Sequence, residues 1–342
     1  MAIDKNFEQF IREIPKAELH VHLEGTIEAE MMFRLAQRNH VKLRFASVGE
    51  LKQAYEFKDL RDFLILYTEG TRVMRTAMDF YDVAMAYLEK MHEQHVLHTE
   101  IFIDFQTYLK RNIAPDIIME GMELAVKDAK EKWGISVLLI LCFLRQLGPE
   151  SAINTFQHVL RFREQITGIG LASIENGFPP ELYRQVFDLA RNEGFKLVAH
   201  AGEEGPWQYV EGSVDVLKVD RIDHGNNSCQ NPELALRIAK MQIPLTLCPL
   251  SNIKLKNVDK LENHSTKKML EKGMLVTINS DDPSYFGGYI NENFIAITEA
   301  LGLNKQHIIT LAKNSFKAAF IPEERKDELI KMVDNYVNSS NI

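Results

Sequence analysis

The chain has 342 residues, 45% of them hydrophobic, and a net charge of −8 at neutral pH. That length suits one large α/β barrel or two ordinary domains, and the acidic balance without a basic block argues against duplex nucleic acid as a partner. Three dispersed cysteines, Cys142, Cys229 and Cys248, form no CxxC and point to a reducing compartment rather than a disulfide framework. The first residues, MAIDKNFEQFIREIPK, are charged and amphipathic and lack the apolar core of a signal peptide. No run approaches the roughly 20 apolar residues of a membrane span. A cytoplasmic protein that works away from membranes is expected.

Eight short β-rich runs follow one another along the chain. They are AELHVH (17–22), LHTEIFID (97–104), SVLLILCF (136–143), GIGLAS (168–173), FKLVAHAG (195–202), RIDHG (221–225), IPLTLCP (243–249) and MLVTINSDD (274–282). Helical periodicity fills the gaps between them. PPELYRQVFDLARNEG (179–194) stops on Gly194, and NPELALRIAKMQ (231–242) opens on an Asn-Pro start signal. Alternation of this kind predicts parallel strands with right-handed crossovers, and eight repeats predict a (β/α)8 TIM barrel in a single domain over 1–342. A doubly wound sheet would carry a glycine-rich phosphate loop after its first strand, and HVHLEGTIEAE has one glycine. Residues 27–95 form a helical insertion after strand one, placed to act as a lid. Residues 290–342 form a helical tail.

In a barrel, chemistry gathers at the C-terminal ends of the strands. Polar residues fall there repeatedly: His20 and His22 on strand one, His200 to Glu204 on strand five, Asp223 and His224 on strand six, Ser280 to Asp282 on strand eight. Strand alternation turns His20 and His22 to the same face. With His200 and Asp281 they make three imidazoles and a carboxylate, a donor set suited to one catalytic zinc ion, although iron or another divalent metal takes similar ligands. A two-metal site bridged by a modified lysine is disfavoured, because GLASIENGFPP after strand four holds no lysine. Glu203, three residues past His200, is placed to shuttle protons. His224 is placed to hold the water or take its proton, or else is a core histidine. HEQHVLH (92–98) is not HExxH and reads as a helix end running into strand two.

HVHLEG, HAGEEGP, RIDHG, CPLSN and NSDDPSYFGGY, in this order over residues 15–290, resemble the adenosine/adenine deaminase family. HLEGT, CFLRQL, HAGEEGP, CPLSNIKL and DDPSYFGGY are closer to microbial adenine deaminases than to animal adenosine deaminases. The resemblance implies zinc on His20, His22, His200 and Asp281, with Glu203 protonating purine N1. It also implies His224 orienting and helping to deprotonate the water, and Asp282 hydrogen-bonding N7. The implied reaction converts adenine to hypoxanthine and ammonia, a purine-salvage step on a small-molecule substrate. The family's adenosine deaminases carry Asp where this chain has Glu24, and that Asp contacts ribose. Glu24 reaches about 1.5 Å further, so it is expected to encroach on the sugar's space and favour the free base.

Two motifs depart from the family pattern. GLASIE stands where adenine deaminases read like GLDSSE, which puts Ala172 and Ile174 at polar positions. IDFQTY stands where they read like FDPQTH, which puts Phe105 and Tyr108 there. All four are expected at the mouth, making that wall more apolar or bulkier. Adenosine and N6-substituted adenines are therefore alternative substrates, and a non-catalytic purine-binding barrel is the alternative outside the class.

Overall fold

Eight parallel strands form the centre of the computed structural model, which describes residues 3–340. In chain order they are β1 (Lys16–His22), β2 (Val96–Ile103), β3 (Ser136–Leu144), β4 (Ile166–Ala172), β5 (Lys196–Ala201), β6 (Arg221–His224), β7 (Leu245–Leu247) and β8 (Val276–Ile278). Each pairs in parallel with the next. Closure is made just beyond β8. Asp281 N–H donates to His20 O, and His22 N–H donates to Asp281 O, both at 3.0 Å. The closed sheet with its crossover helices is the predicted (β/α)8 barrel.

Local signals place the elements as expected. Asn231 caps the helix Pro232–Met241, its side chain accepting the N–H groups of Glu233 and Leu234. Gly194 takes a φ of 84° just past the helix Arg184–Asn192, a conformation that glycine adopts without the Cβ penalty. The last two strands are shorter than their sequence runs, three residues each instead of 243–249 and 274–282. Pro249 starts a helix at once after β7, and Asp281 takes a φ of 65° that breaks the extended chain after β8.

An N-terminal helix α1 (Lys5–Glu13) precedes β1. The insertion holds four helices, α2 (Ala29–Arg38), α3 (Val48–Gln53), α4 (Leu60–Thr71) and α5 (Ala77–Glu93). HEQHVLH is the junction of α5 with β2, and His98 bonds Ser136 and Glu100 rather than joining a metal cluster. The tail forms helices Ile290–Leu301, Lys305–Lys317 and Glu323–Ser339. Among the described residues, no helix is long and apolar enough to cross a membrane.

The barrel interior is stratified. Its middle is apolar, with Phe102, Ile140, Cys142, Ala172 and Val198 packed together. Toward the N-terminal end of the strands lies a buried ion pair, Arg221 to Glu100 at 2.6 Å. Glu100 also accepts the Phe320 N–H at 2.6 Å, and the Arg221 guanidinium sits over the Phe320 ring at 4.4 Å. Burial pushes the Glu100 carboxyl up, but the charge of Arg221, then the hydrogen bond and charge of His98 and the Phe320 N–H, outweigh it and hold the group at about 2. The opposite end carries the site.

Candidate active site

Strand alternation carries His20 and His22 to one face, where they meet His200 from β5 and Asp281 from beyond β8. His20 Nε2 is 3.4 Å and His22 Nε2 3.5 Å from Asp281 Oδ1, and His22 Nε2 is 3.2 Å from His200 Nε2. Two of the opposite ring nitrogens face polar groups, one within hydrogen-bond distance and one beyond it. His20 Nδ1 bonds Thr246 Oγ1 at 2.9 Å, Thr246 donates to Asp223 Oδ1 at 3.0 Å, and His200 Nδ1 stands 3.6 Å from Asp223 Oδ2. Such outer partners fix ring orientation and leave Nε2 free as a ligand. His20 Nε2 is buried without a hydrogen-bond partner. Buried imidazole nitrogens and a carboxylate converging in this way fit a divalent cation. Burial pushes Asp281 up, but the neighbouring His20, with His224 and His22, holds it well below the usual carboxylate range.

By distance alone, His224 groups with His20, His200 and Asp281, while His22 groups with Asp281 and Asp282. A hydrogen-bond chain sets His224 apart. Thr266 N–H donates to His264 Nδ1 at 3.3 Å, so the His264 proton lies on Nε2, which bonds Asn252 Oδ1 at 3.0 Å. The Asn252 amide then faces His224 Nδ1 at 3.4 Å with its nitrogen. His224 Nδ1 is thus an acceptor and Nε2 carries the proton, making it a donor rather than a ligand. That Nε2 stands 3.4 Å from Glu203 Oε2 and 3.7 Å from Asp281 Oδ2 and has no hydrogen-bond partner.

Glu203 is buried, and Asn257 donates to its Oε1 at 3.1 Å. Burial, then the charges of Asp281, Glu175 and Glu204, push its carboxyl well above the ordinary value. Its loop is held by Glu175, whose carboxylate accepts the N–H groups of Gly202, Glu203 and Gly205 at 3.2, 3.4 and 2.6 Å. Arg145, fully buried, donates to Phe178 O at 2.7 Å and to His200 O. Neither Glu175 nor Arg145 was expected to matter, yet both lie in quoted motifs, GLASIE and CFLRQL. Asp281 and His224 have left-handed backbone, as does Ser173, with φ values of 65°, 61° and 73°. Non-glycine residues in that region collect at functional sites. Gly25 allows a close approach: a Cβ there would lie 2.0 Å from Asp282 Oδ1.

A cavity of about 70 Å³ opens over these groups. Its polar wall includes His22, Glu203, Asp104 and Asp282, and α4 supplies Leu60, Phe63, Leu64 and Tyr67. Of the four departures, only Ala172 lines it. Phe105 and Tyr108 lie on a short helix, Phe105–Leu109, and neither lines the cavity. Tyr108 packs on Phe80 at 4.9 Å between ring centres and donates to Met74 Sδ at 4.0 Å. Ile174 is half-buried and off the wall. The expectation that all four shape the mouth is corrected accordingly. Glu24 is corrected too. It is buried behind the wall, accepting from Tyr67 Oη at 3.3 Å and from Asp104 N–H at 3.2 Å, and it reaches the cavity only through those two residues.

A (β/α)8 barrel with imidazoles and a carboxylate converging at its strand ends, beside a buried carboxyl, is the architecture of a metal-dependent hydrolase. The family model for adenosine deaminase matches residues 15–336, and the chain belongs to that family of hydrolytic deaminases. It is similar to the adenine deaminase of Acinetobacter baylyi, 49% identical over 96% of this chain and 99% of the relative. The crystal structure of adenine deaminase from Arthrobacter aurescens superposes with a TM-score of 0.93 at 41% identity, covering 95% of this chain and 99% of that one. An amidohydrolase from Burkhoderia ambifaria with bound Zn has a TM-score of 0.91 at 27% identity, covering 99% and 96%.

Proposed function

We propose that this chain deaminates adenine hydrolytically to hypoxanthine and ammonia, with one zinc ion held by His20, His22, His200 and Asp281. The observation that carries the chemistry is the placement of Glu203. It is a buried carboxyl, pushed well above its ordinary value by burial and by Asp281, beside His224 and the ligand cluster. Zinc bound there supplies Lewis acidity and a water acidified to near neutrality. Glu203 holds a proton for purine N1, where charge gathers as oxygen adds to C6. His224, its proton fixed on Nε2 by the Asn252–His264 chain, orients the attacking oxygen by donating to it. Asp282, pushed up by burial and by Asp281, is placed to hydrogen-bond N7. The insertion, whose α4 walls the cavity, serves as its lid.

Adenine is favoured over its alternatives by the relatives, adenine deaminases close to half identical over nearly the whole chain. N6-substituted adenines lose their rationale, since three of the four departures leave the wall. The test is ammonia release by the zinc-loaded protein from adenine, adenosine, N6-methyladenine and guanine. Adenine is expected to be turned over at least about 10³-fold more efficiently than the others, because a site built for polar groups rejects molecules that mispair them by large factors. Comparable turnover of adenosine, or no release from any of them with zinc bound, would overturn the reading.

A further inference from the structure

Asp104 has no part in the reaction as described, yet it sits on the cavity wall with an unpartnered acceptor. It is 2% exposed, and its Oδ1 has no hydrogen-bond partner. Its Oδ2 accepts from Tyr67 Oη at 3.0 Å, and the same hydroxyl reaches Glu24 Oε2 at 3.3 Å. Glu24 in turn holds the Asp104 backbone N–H at 3.2 Å. One carboxylate oxygen of Asp104 is therefore fixed and the other is left for something in the cavity. A buried acceptor left unpaired costs free energy, so its partner should be a donor on the substrate.

The order of the strands identifies that donor. Around the rim run β5 with Glu203, β8 with Asp281 and Asp282, β1 with Glu24, β2 with Asp104, β3, and β4 with Ala172 and Ser173. Around a purine run N1, C6, N7, C8, N9 and N3. Placing N1 at Glu203, C6 at the ligand cluster and N7 at Asp282 uses the proposed function. The next wall group beyond Asp282 is then Asp104, and the next nitrogen beyond N7 is N9. The remaining edge, N3, faces Ser173, whose Oγ is also without a partner. The two cyclic orders coincide.

We infer that Asp104 accepts the N9–H of the free purine base and is the residue that excludes nucleosides. This rests on the adenine reading and deepens it. A 9-substituted purine has no N9–H to give and brings a substituent against Asp104 and Tyr67, which the Glu24 carboxylate locks in place. Glu24 thus acts on specificity as a positioning residue for Asp104 and Tyr67, not by touching a sugar.

The test compares kcat/KM for adenine and 9-methyladenine in the wild type, Asp104→Ala and Asp104→Asn. The wild type should prefer adenine at least about 10³-fold, since a missing donor against a built acceptor is heavily penalised. Asp104→Ala should lose adenine turnover about 100-fold while 9-methyladenine is unchanged or improved, and Asp104→Asn, which keeps an amide oxygen, should retain most of the preference. An equal loss on both substrates would make Asp104 merely structural and overturn the inference. Should Asp104→Ala fail to fold, competitive inhibition of the wild type decides. 9-Methyladenine binding within threefold of adenine would refute it, and binding at least 100-fold weaker would support it. Equal turnover of adenine and 9-methyladenine sinks the inference but leaves the adenine reading standing. Wild type inactive on adenine sinks that reading itself.

Discussion

The two ends of the barrel bury similar chemistry and treat it in opposite ways. At the N-terminal end, Glu100 and Arg221 pair at 2.6 Å, and Phe320, His98 and Leu19 O satisfy most of what remains. At the C-terminal end, His20 Nε2, His224 Nε2, Asp104 Oδ1 and Asp282 Oδ1 are as deeply buried and have no hydrogen-bond partner. A protein pays for an unsatisfied buried polar atom, so the unpaired end makes sense only if something else completes it. Asp223 joins the two, lying 3.6 Å from Arg221 Nε on one side and 3.6 Å from His200 Nδ1 on the other.

That contrast breaks most completely if the upper end is deprived of a ligand. His20→Ala should abolish ammonia release and lower metal content to background by elemental analysis; full zinc occupancy in this variant would refute the ligand assignment. At the lower end, Arg221→Leu leaves Glu100 charged and uncompensated. Unfolding in urea should show a loss of about 3–5 kcal/mol, the usual penalty for stranding one partner of a buried ion pair. A loss below about 1 kcal/mol would mean that the lower end is not the structural one.

A smaller effect sharpens the role of the chain behind His224. Burial lowers His264 to about 4 from 6.5. Between those values the unfolded chain binds the proton and the folded chain does not, so this contribution to stability is complete above about pH 6.5 and eroded as pH falls to about 4. The wild type should therefore lose up to roughly 3 kcal/mol more than His264→Asn between pH 6.5 and 4. Identical pH slopes of the unfolding free energy would remove His264 from the buried neutral state assigned to it.

The strand ends were legible because period-2 alternation is a local rule. HVH, HAGEE and SDD each put polar side chains where an apolar strand should end, and a barrel brings those ends together. The cavity wall was less legible. Glu175 shows its purpose only when it meets N–H groups 27 to 30 residues away, and Arg145 only at the carbonyl of His200, 55 residues away. Nothing in GLASIE or CFLRQL has a period that predicts such contacts. Phe105 and Tyr108 were misplaced because their side chains follow the turn into a helix, not the strand before it. Glu24 was placed correctly along the chain but one layer too close to substrate, because Tyr67 comes from α4, 43 residues on, and fills the space between.

The claim that the unpaired end serves chemistry rather than folding is tested most directly by Glu203→Gln, with metal content, urea unfolding and ammonia release from adenine measured on one preparation. The account predicts full zinc occupancy, unfolding within about 1 kcal/mol of the wild type, and turnover reduced on the order of 10³-fold, the range for a lost general acid. Near-normal turnover in that folded, zinc-loaded variant would contradict it.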